Sequence, residues 1–121
     1  MAFDVEGFVG RCRAALGGPN APQSIAEIVR QAIAEPQALA ETVRARQQAR
    51  GKPAIAEVFV NDDELTAYQL AWPAGLIGPP HDHAGWAVVG VYAGAEAFNV
   101  YAARPDGALA RTGREVVGRP A

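Results

Sequence analysis

The chain has two histidines, and they stand together as His81-Asp82-His83. In a strand, residues i and i+2 point to one face, so the two imidazoles converge on one point. Neutral imidazole is the commonest protein ligand for transition metals, and two aimed at one point make a partial metal site. Two ligands alone rarely hold a metal, and the sequence has no third histidine to add. Asp82 points away from the pair in a regular strand, which makes it a supporting or surface residue rather than a ligand. Glu96 is the nearest acidic side chain after the pair, and at a strand start its ordinary place is in solvent.

Something must present these residues. Gly78-Pro79-Pro80 leads into His81, and proline fixes φ and removes a donor, which stiffens the entry. A strand over residues 83–92 would put Gly85, Ala87, Val89 and Val91 on the histidine face and Trp86, Val88, Gly90 and Tyr92 on the other. The small residues Gly85 and Ala87 leave room beside a bound ion. Tyr68, Trp72 and Trp86 are aromatics that can line a pocket; the plainer place for large aromatics in a β unit is the core, and this applies most to Trp72.

The remaining elements are read from periodicity. Asp4 can cap a helix with Phe8, Cys12 and Leu16 on one stripe, stopped by Gly17-Gly18. Ser24-x-x-Glu27 reads as a capping box, opening a helix striped by Ile25, Ile28, Val29, Ala32 and Ile33. Pro36 suits the first turn of a third helix, whose basic end carries Arg44, Arg46, Arg50 and Lys52. Those cations complement the negative end of the helix dipole and read as a solvated helix end, because no Gly-rich phosphate loop accompanies them. From Pro53 the period shortens. Strands are expected over 55–60, 65–72, 83–92, 97–103 and 109–117, separated by Asn61-Asp62-Asp63, Pro73-Ala74-Gly75, Ala93-Gly94 and Pro105-Asp106-Gly107, all of which suit turns.

At 121 residues, half of them hydrophobic and 20% charged, the chain is expected to form one globular domain. A net charge of −2 offers no electrostatic footprint for nucleic acid or an anionic membrane surface, and no apolar run is long enough to span a bilayer. Cys12 is the sole cysteine, which excludes an internal disulfide and suits a reducing cytoplasm. It reads as a small buried residue of the first helix.

The run GLIGPPHDHAGWAVVGVYAG, residues 75–94, resembles the first cupin motif: a glycine, five residues, His-x-His, three or four residues, a glutamate, six residues and a glycine. Gly75, His81, His83 and Gly94 fall on that pattern, and Ala87 stands where the glutamate would be. Loss of that carboxylate is a mark of the thiol dioxygenases, the cysteine and 3-mercaptopropionate dioxygenases, which hold iron on three histidines. The runs HDHAGWAVVGVYAGAE and LTAYQLAWPAG, with the N-terminal helices, resemble the bacterial members of that branch.

The resemblance implies an α+β, mainly β fold. N-terminal helices (residues 1–52, a cap) precede an incomplete antiparallel cupin double-stranded β-helix (residues 53–121, a partial β-sandwich) in one structural domain. It implies Fe(2+) on His81 and His83, with Ala87 vacating the carboxylate position and Trp86, Tyr68 and Trp72 around the pocket. Substrates would be a small thiol and O2, in the cytoplasm, and the product a sulfinic acid. The family's third histidine belongs to a second motif, and the chain reads REVVGRPA where that motif would begin. The expectation is therefore a truncated frame with weak iron binding, weak or absent activity, and open sheet edges that invite self-association. The alternative is a non-catalytic cupin-like module that binds a small molecule or a protein. Arg104 and Arg111 are available for a substrate carboxylate, although solvent is the ordinary place for both.

Overall fold

The computed structural model describes residues 2–52, 54–79, 81 and 85–119. Among them are three helices, α1 (Val5–Leu16), α2 (Ala21–Ile33) and α3 (Pro36–Arg50). Four strands come after the helices: β1 (Ala56–Asn61), β2 (Thr66–Leu70), β3 (Ala95–Ala103) and β4 (Leu109–Gly118). The strands form two separate antiparallel pairs, β1 with β2 and β3 with β4. The architecture is an α+β mix. The helices, of 12, 13 and 15 residues, hold more of the described chain than strands of 6, 5, 9 and 10, so the expected β predominance is corrected.

The helix ends show why these segments are helical. Asp4 caps α1 as expected, its carboxylate accepting from the Gly7 amide at 2.9 Å. The capping box at Ser24 is a correction: α2 begins a turn earlier, at Ala21, with a proline in its first turn. Proline there has no amide to leave unsatisfied and a φ already suited to the helix, so the earlier start prevails. Pro36 opens α3 as expected, and Gly51 ends it in the left-handed conformation at φ 81°.

The core lies where α1, α2 and the β1–β2 hairpin meet. Phe8, Cys12 and Ile25 are buried there, with Phe3, Val29, Phe59, Leu65 and Val88 packed around them. Phe3, Phe8 and Phe59 form a ring cluster with centroids 5.4, 6.0 and 6.3 Å apart. Those separations suit tilted and edge-on aromatic contacts. A bulge in β1 sets Phe59 into this cluster: Val58 pairs with Tyr68, while Val60 pairs with Ala67.

The third helix joins the hairpin by charge. Glu57 of β1 is fully buried. Arg50 grips it with two bonds, at 2.7 and 2.6 Å, and Arg46 adds a third at 3.0 Å. The Arg46 guanidinium also lies 5.6 Å from the centre of the Phe59 ring. The basic end of α3 is thus only partly a solvated helix end, because two of its cations serve a buried carboxylate.

The turns largely obey their residue chemistry. Asp62 accepts from the amides of Glu64 and Leu65, both at 2.9 Å, and closes β1–β2. It also meets Arg13 of α1 at 2.9 Å, which lowers its carboxyl pKa. Asp106 accepts from the Ala108 amide at 2.9 Å, and Gly107 takes φ 86°, closing β3–β4.

The arginines hold the Glu57 carboxyl down to a pKa of about 2 from its ordinary 4.5, with the Arg50 hydrogen bonds the largest cause. A depressed carboxyl pKa adds stability that is complete above the unfolded value and disappears as pH falls through the folded one. Denaturant unfolding is therefore expected to show this contribution intact at pH 7 and eroding between about 4.5 and about 2. Glu57→Ala should flatten that acid limb and cost about 2–3 kcal/mol at pH 7, near the low end for a broken buried pair because the arginines are partly exposed. An unchanged acid limb in the variant would refute the assignment.

Candidate functional site

The approach to His81 is built from the end of β2. After Leu70 the chain stays paired for one more residue, with the Ala71 amide donating to the Ile55 carbonyl at 2.8 Å. Trp72 then turns back on the next residues. Its indole nitrogen donates to the Leu76 carbonyl at 3.0 Å, and the Leu76 amide donates to the Pro73 carbonyl at 3.1 Å. Gly75 takes φ 81°, which a residue with a Cβ adopts at a cost. A Cβ at Gly78 would meet the Trp72 ring at 3.4 Å, so the backbone lies against the indole. Trp72 is 45% exposed, which corrects its expected place in the core: it braces the turn that delivers His81.

The His81 side chain is exposed, with Nδ1 3.0 Å from the Pro79 carbonyl oxygen. A ring that donates from Nδ1 to a carbonyl carries its lone pair on Nε2, the orientation common among metal-bound histidines. His83 and Asp82 lie outside the described residues, so the convergence of the pair on one face lies there as well.

The chain beyond the pair departs from expectation. Residues 85–92, expected within a strand, are in none. Gly85 takes φ 138°, a conformation that interrupts regular extension. The segment is instead wedged against helix α2. A Cβ at Gly90 would fall 2.6 Å from a Val29 methyl and 3.1 Å from an Ile33 methyl, so only glycine lets the backbone come this close. Val88 joins the central core and Val91 is buried. Burial pushes the Tyr92 phenol pKa up, and a hydrogen bond from the Gln69 side chain of β2 opposes it. The segment therefore touches both α2 and the hairpin, and packing has displaced strand pairing.

Among the other residues singled out, Ala87 is exposed, and Trp86 is 49% exposed directly before Ala87 and Val88. Tyr68 is 48% exposed on the outward face of β2. Glu96 is half-buried in β3, rather than fully solvated. Arg104 and Arg111 are exposed as expected, and Cys12 is buried with its thiol pKa raised by that burial. Among the described residues, no three His, Cys, Asp or Glu side chains gather into a metal-sized group. A hollow of about 380 Å³ opens at the end of α3 between Arg44, Gln47, Gln48, Gly51 and Lys52, and none of the expected site residues lines it.

Arg46 and Arg50 were legible as part of a basic helix end, but their partner Glu57 was not. A signal existed: Arg46 and Arg50 are spaced i, i+4, and Glu57 is an acid alternating with Phe59 inside an apolar strand. No helix among the described residues is long and apolar enough to cross a membrane. Compared with protein-family models, curated proteins and solved structures, the chain gives no significant match.

Because Gly90 locks the segment onto α2, Gly90→Ala should destabilise the chain by about 1–3 kcal/mol through overpacking. Adding Val29→Ala should restore part of that loss by removing the methyl in the way. Chemical denaturation of the single and double variants checks this, and additive losses would contradict the close approach.

Proposed function

We propose that this chain carries the iron-binding half of a cupin-type thiol dioxygenase site, using Fe(2+) and O2 to convert a small thiol of the cysteine or 3-mercaptopropionate type to its sulfinic acid. The observation that carries the reading is the spacing of Gly75, His81, His83 and Gly94 with Ala87 in place of a carboxylate. The local geometry supports it: His81 is exposed, its Nδ1 faces a backbone carbonyl, and a tryptophan-braced turn delivers it.

In this reading His81 and His83 would hold the metal. When bound, Fe(2+) supplies a centre at which thiolate and O2 meet. Alanine at position 87 adds no negative charge, so a site of neutral imidazoles keeps its positive field and favours an anionic thiolate. Trp86, beside that position, would limit water around the sulfur. Both oxygen atoms end on sulfur, RSH + O2 → RSO2H; sulfur gives up four electrons, O2 accepts them, and no further reductant is needed. Two imidazoles alone give weak binding, so activity supported by this pair alone is weak or absent.

A second reading, a non-catalytic module that binds a small molecule or a protein, is favoured by the apolar outward face of the β1–β2 hairpin. There Val58, Tyr68 and Leu70 are each close to half exposed.

Anaerobic Fe(2+) titration, together with oxygen-uptake assays on cysteine and 3-mercaptopropionate, separates the two. The dioxygenase reading expects weak iron binding that His81→Ala and His83→Ala each abolish, with metal-free melting unchanged. Iron binding indifferent to both substitutions would remove the metal role and leave the binding module.

A further inference from the structure

The β1–β2 hairpin is inverted relative to most surface hairpins. Its inward face carries Glu57 and Gln69, which stand opposite each other, together with Phe59 and Ala67. Its outward face carries Val58 paired with Tyr68 and Ala56 paired with Leu70. Trp72 continues the outward parity, and its bond to Leu76 draws the next turn alongside. Val58, Tyr68, Leu70, Trp72 and Leu76 are 44–48% exposed and Ile77 is 89% exposed. With about 150–250 Å² for each aromatic and somewhat less for each aliphatic side chain, the exposed apolar area is on the order of 500 Å².

We propose that a second copy of this chain covers this face, the two hairpins packing face to face about a twofold axis. Size is the first reason. A stable interface buries about 800 Å² per partner, an apolar centre within a more polar rim, and this patch is the right size for that centre. Charge is the second. Ala56, Val58, Thr66, Tyr68, Leu70 and Trp72 bear no charge. A self-complementary contact thus meets no like-charge repulsion, while an acidic or basic partner would find nothing to pair with. Architecture is the third. The hairpin has helices on its inward side, and a second hairpin laid across its outward side makes a two-layer sheet sandwich with Tyr68 and Trp72 as central anchors. The inference is independent of the dioxygenase reading, since it uses neither histidine.

Sedimentation velocity of the full chain over a wide concentration range tests it. The expected result is a reversible transition from 12.7 kDa to twice that mass. Tyr68→Lys and, separately, Val58→Lys should each weaken dimerisation at least about 100-fold, since either buries an unpaired ammonium. Helical circular dichroism should persist in both, because both side chains already meet solvent. Val116→Lys, at a 62% exposed position on the other strand pair, should leave the dimer intact. A monomer at every concentration would overturn the proposal, whether the face then stays bare or awaits a different protein. So would a dimer lost in Val116→Lys but kept in Tyr68→Lys, which would move the interface to β3–β4.

Discussion

The buried carboxylate of Glu57 is the constraint on which the rest of the architecture depends. A lone ionised carboxylate in that position would be prohibitively unfavourable, so the strand and the third helix must meet with both arginines in reach. Arg46 and Arg50 lie one helical turn apart on α3, and their guanidiniums satisfy both carboxylate oxygens. The bidentate bond from Arg50 restricts direction as well as distance, as parallel N–H donors on a carboxylate do. It thereby sets which face of β1 turns inward. Phe59, at the next inward position after Glu57, sits under Arg46 and closes the ring cluster with Phe3 and Phe8. Polar and apolar contacts here specify the same docking, and such agreement between levels makes a packed arrangement unique.

From that anchored hairpin the histidine-bearing stretch is reached in two steps. Trp72 folds the chain back through its bond to the Leu76 carbonyl, and the backbone at Gly78 runs along the indole. Beyond the histidines, Gly90 brings the chain against Val29 and Ile33, and Tyr92 returns to Gln69. The stretch is therefore held at both ends by elements that meet in one core, while His81, Trp86 and Ala87 between them stay near the surface. The rigidity of a segment's ends limits how far the side chains between them can move.

Much of the helical half was legible in the sequence, because helix stripes and caps are local signals. Asp4 and Pro36 both act at the expected ends. Two strand pairs were legible for a similar reason, since Asp62, Asp106 and Gly107 close turns by contacts within a few residues. The failures are non-local. Residues 85–92 have the composition of a strand, yet a strand needs a partner edge, and contact with α2 through Gly90 replaced that pairing. Apolar residues that suit strand burial suit burial against a helix equally well, and period alone does not distinguish them. Size alone points Trp72 inward, whereas its indole nitrogen meets a carbonyl in the next turn. The Glu57 network joins residues 46, 50 and 57, a relation that no single periodic segment contains. Of the candidate site, the sequence disclosed the identity and spacing of the histidines, and the structure added the brace at Trp72 and the wedge at Gly90.

The inverted hairpin raises a question of energy that its charges answer. A one-residue slip of β1 and β2 would turn Val58, Tyr68 and Leu70 inward, and completing the burial of such half-exposed side chains would gain roughly 1 kcal/mol each. The same slip would expel Glu57 from its arginines and Phe59 from its ring cluster, and would move the bulge that admits Phe59. Losing a well-packed Phe alone costs about 3–5 kcal/mol, and parting a buried ion pair adds to that. The observed register is therefore the favoured one, although it leaves an apolar face in water. On this surface a satisfied interior is set against an unsatisfied exterior. That conflict ends if another apolar surface lies over Tyr68 and Leu70, because the inward contacts then stay as they are while the outward side chains leave water.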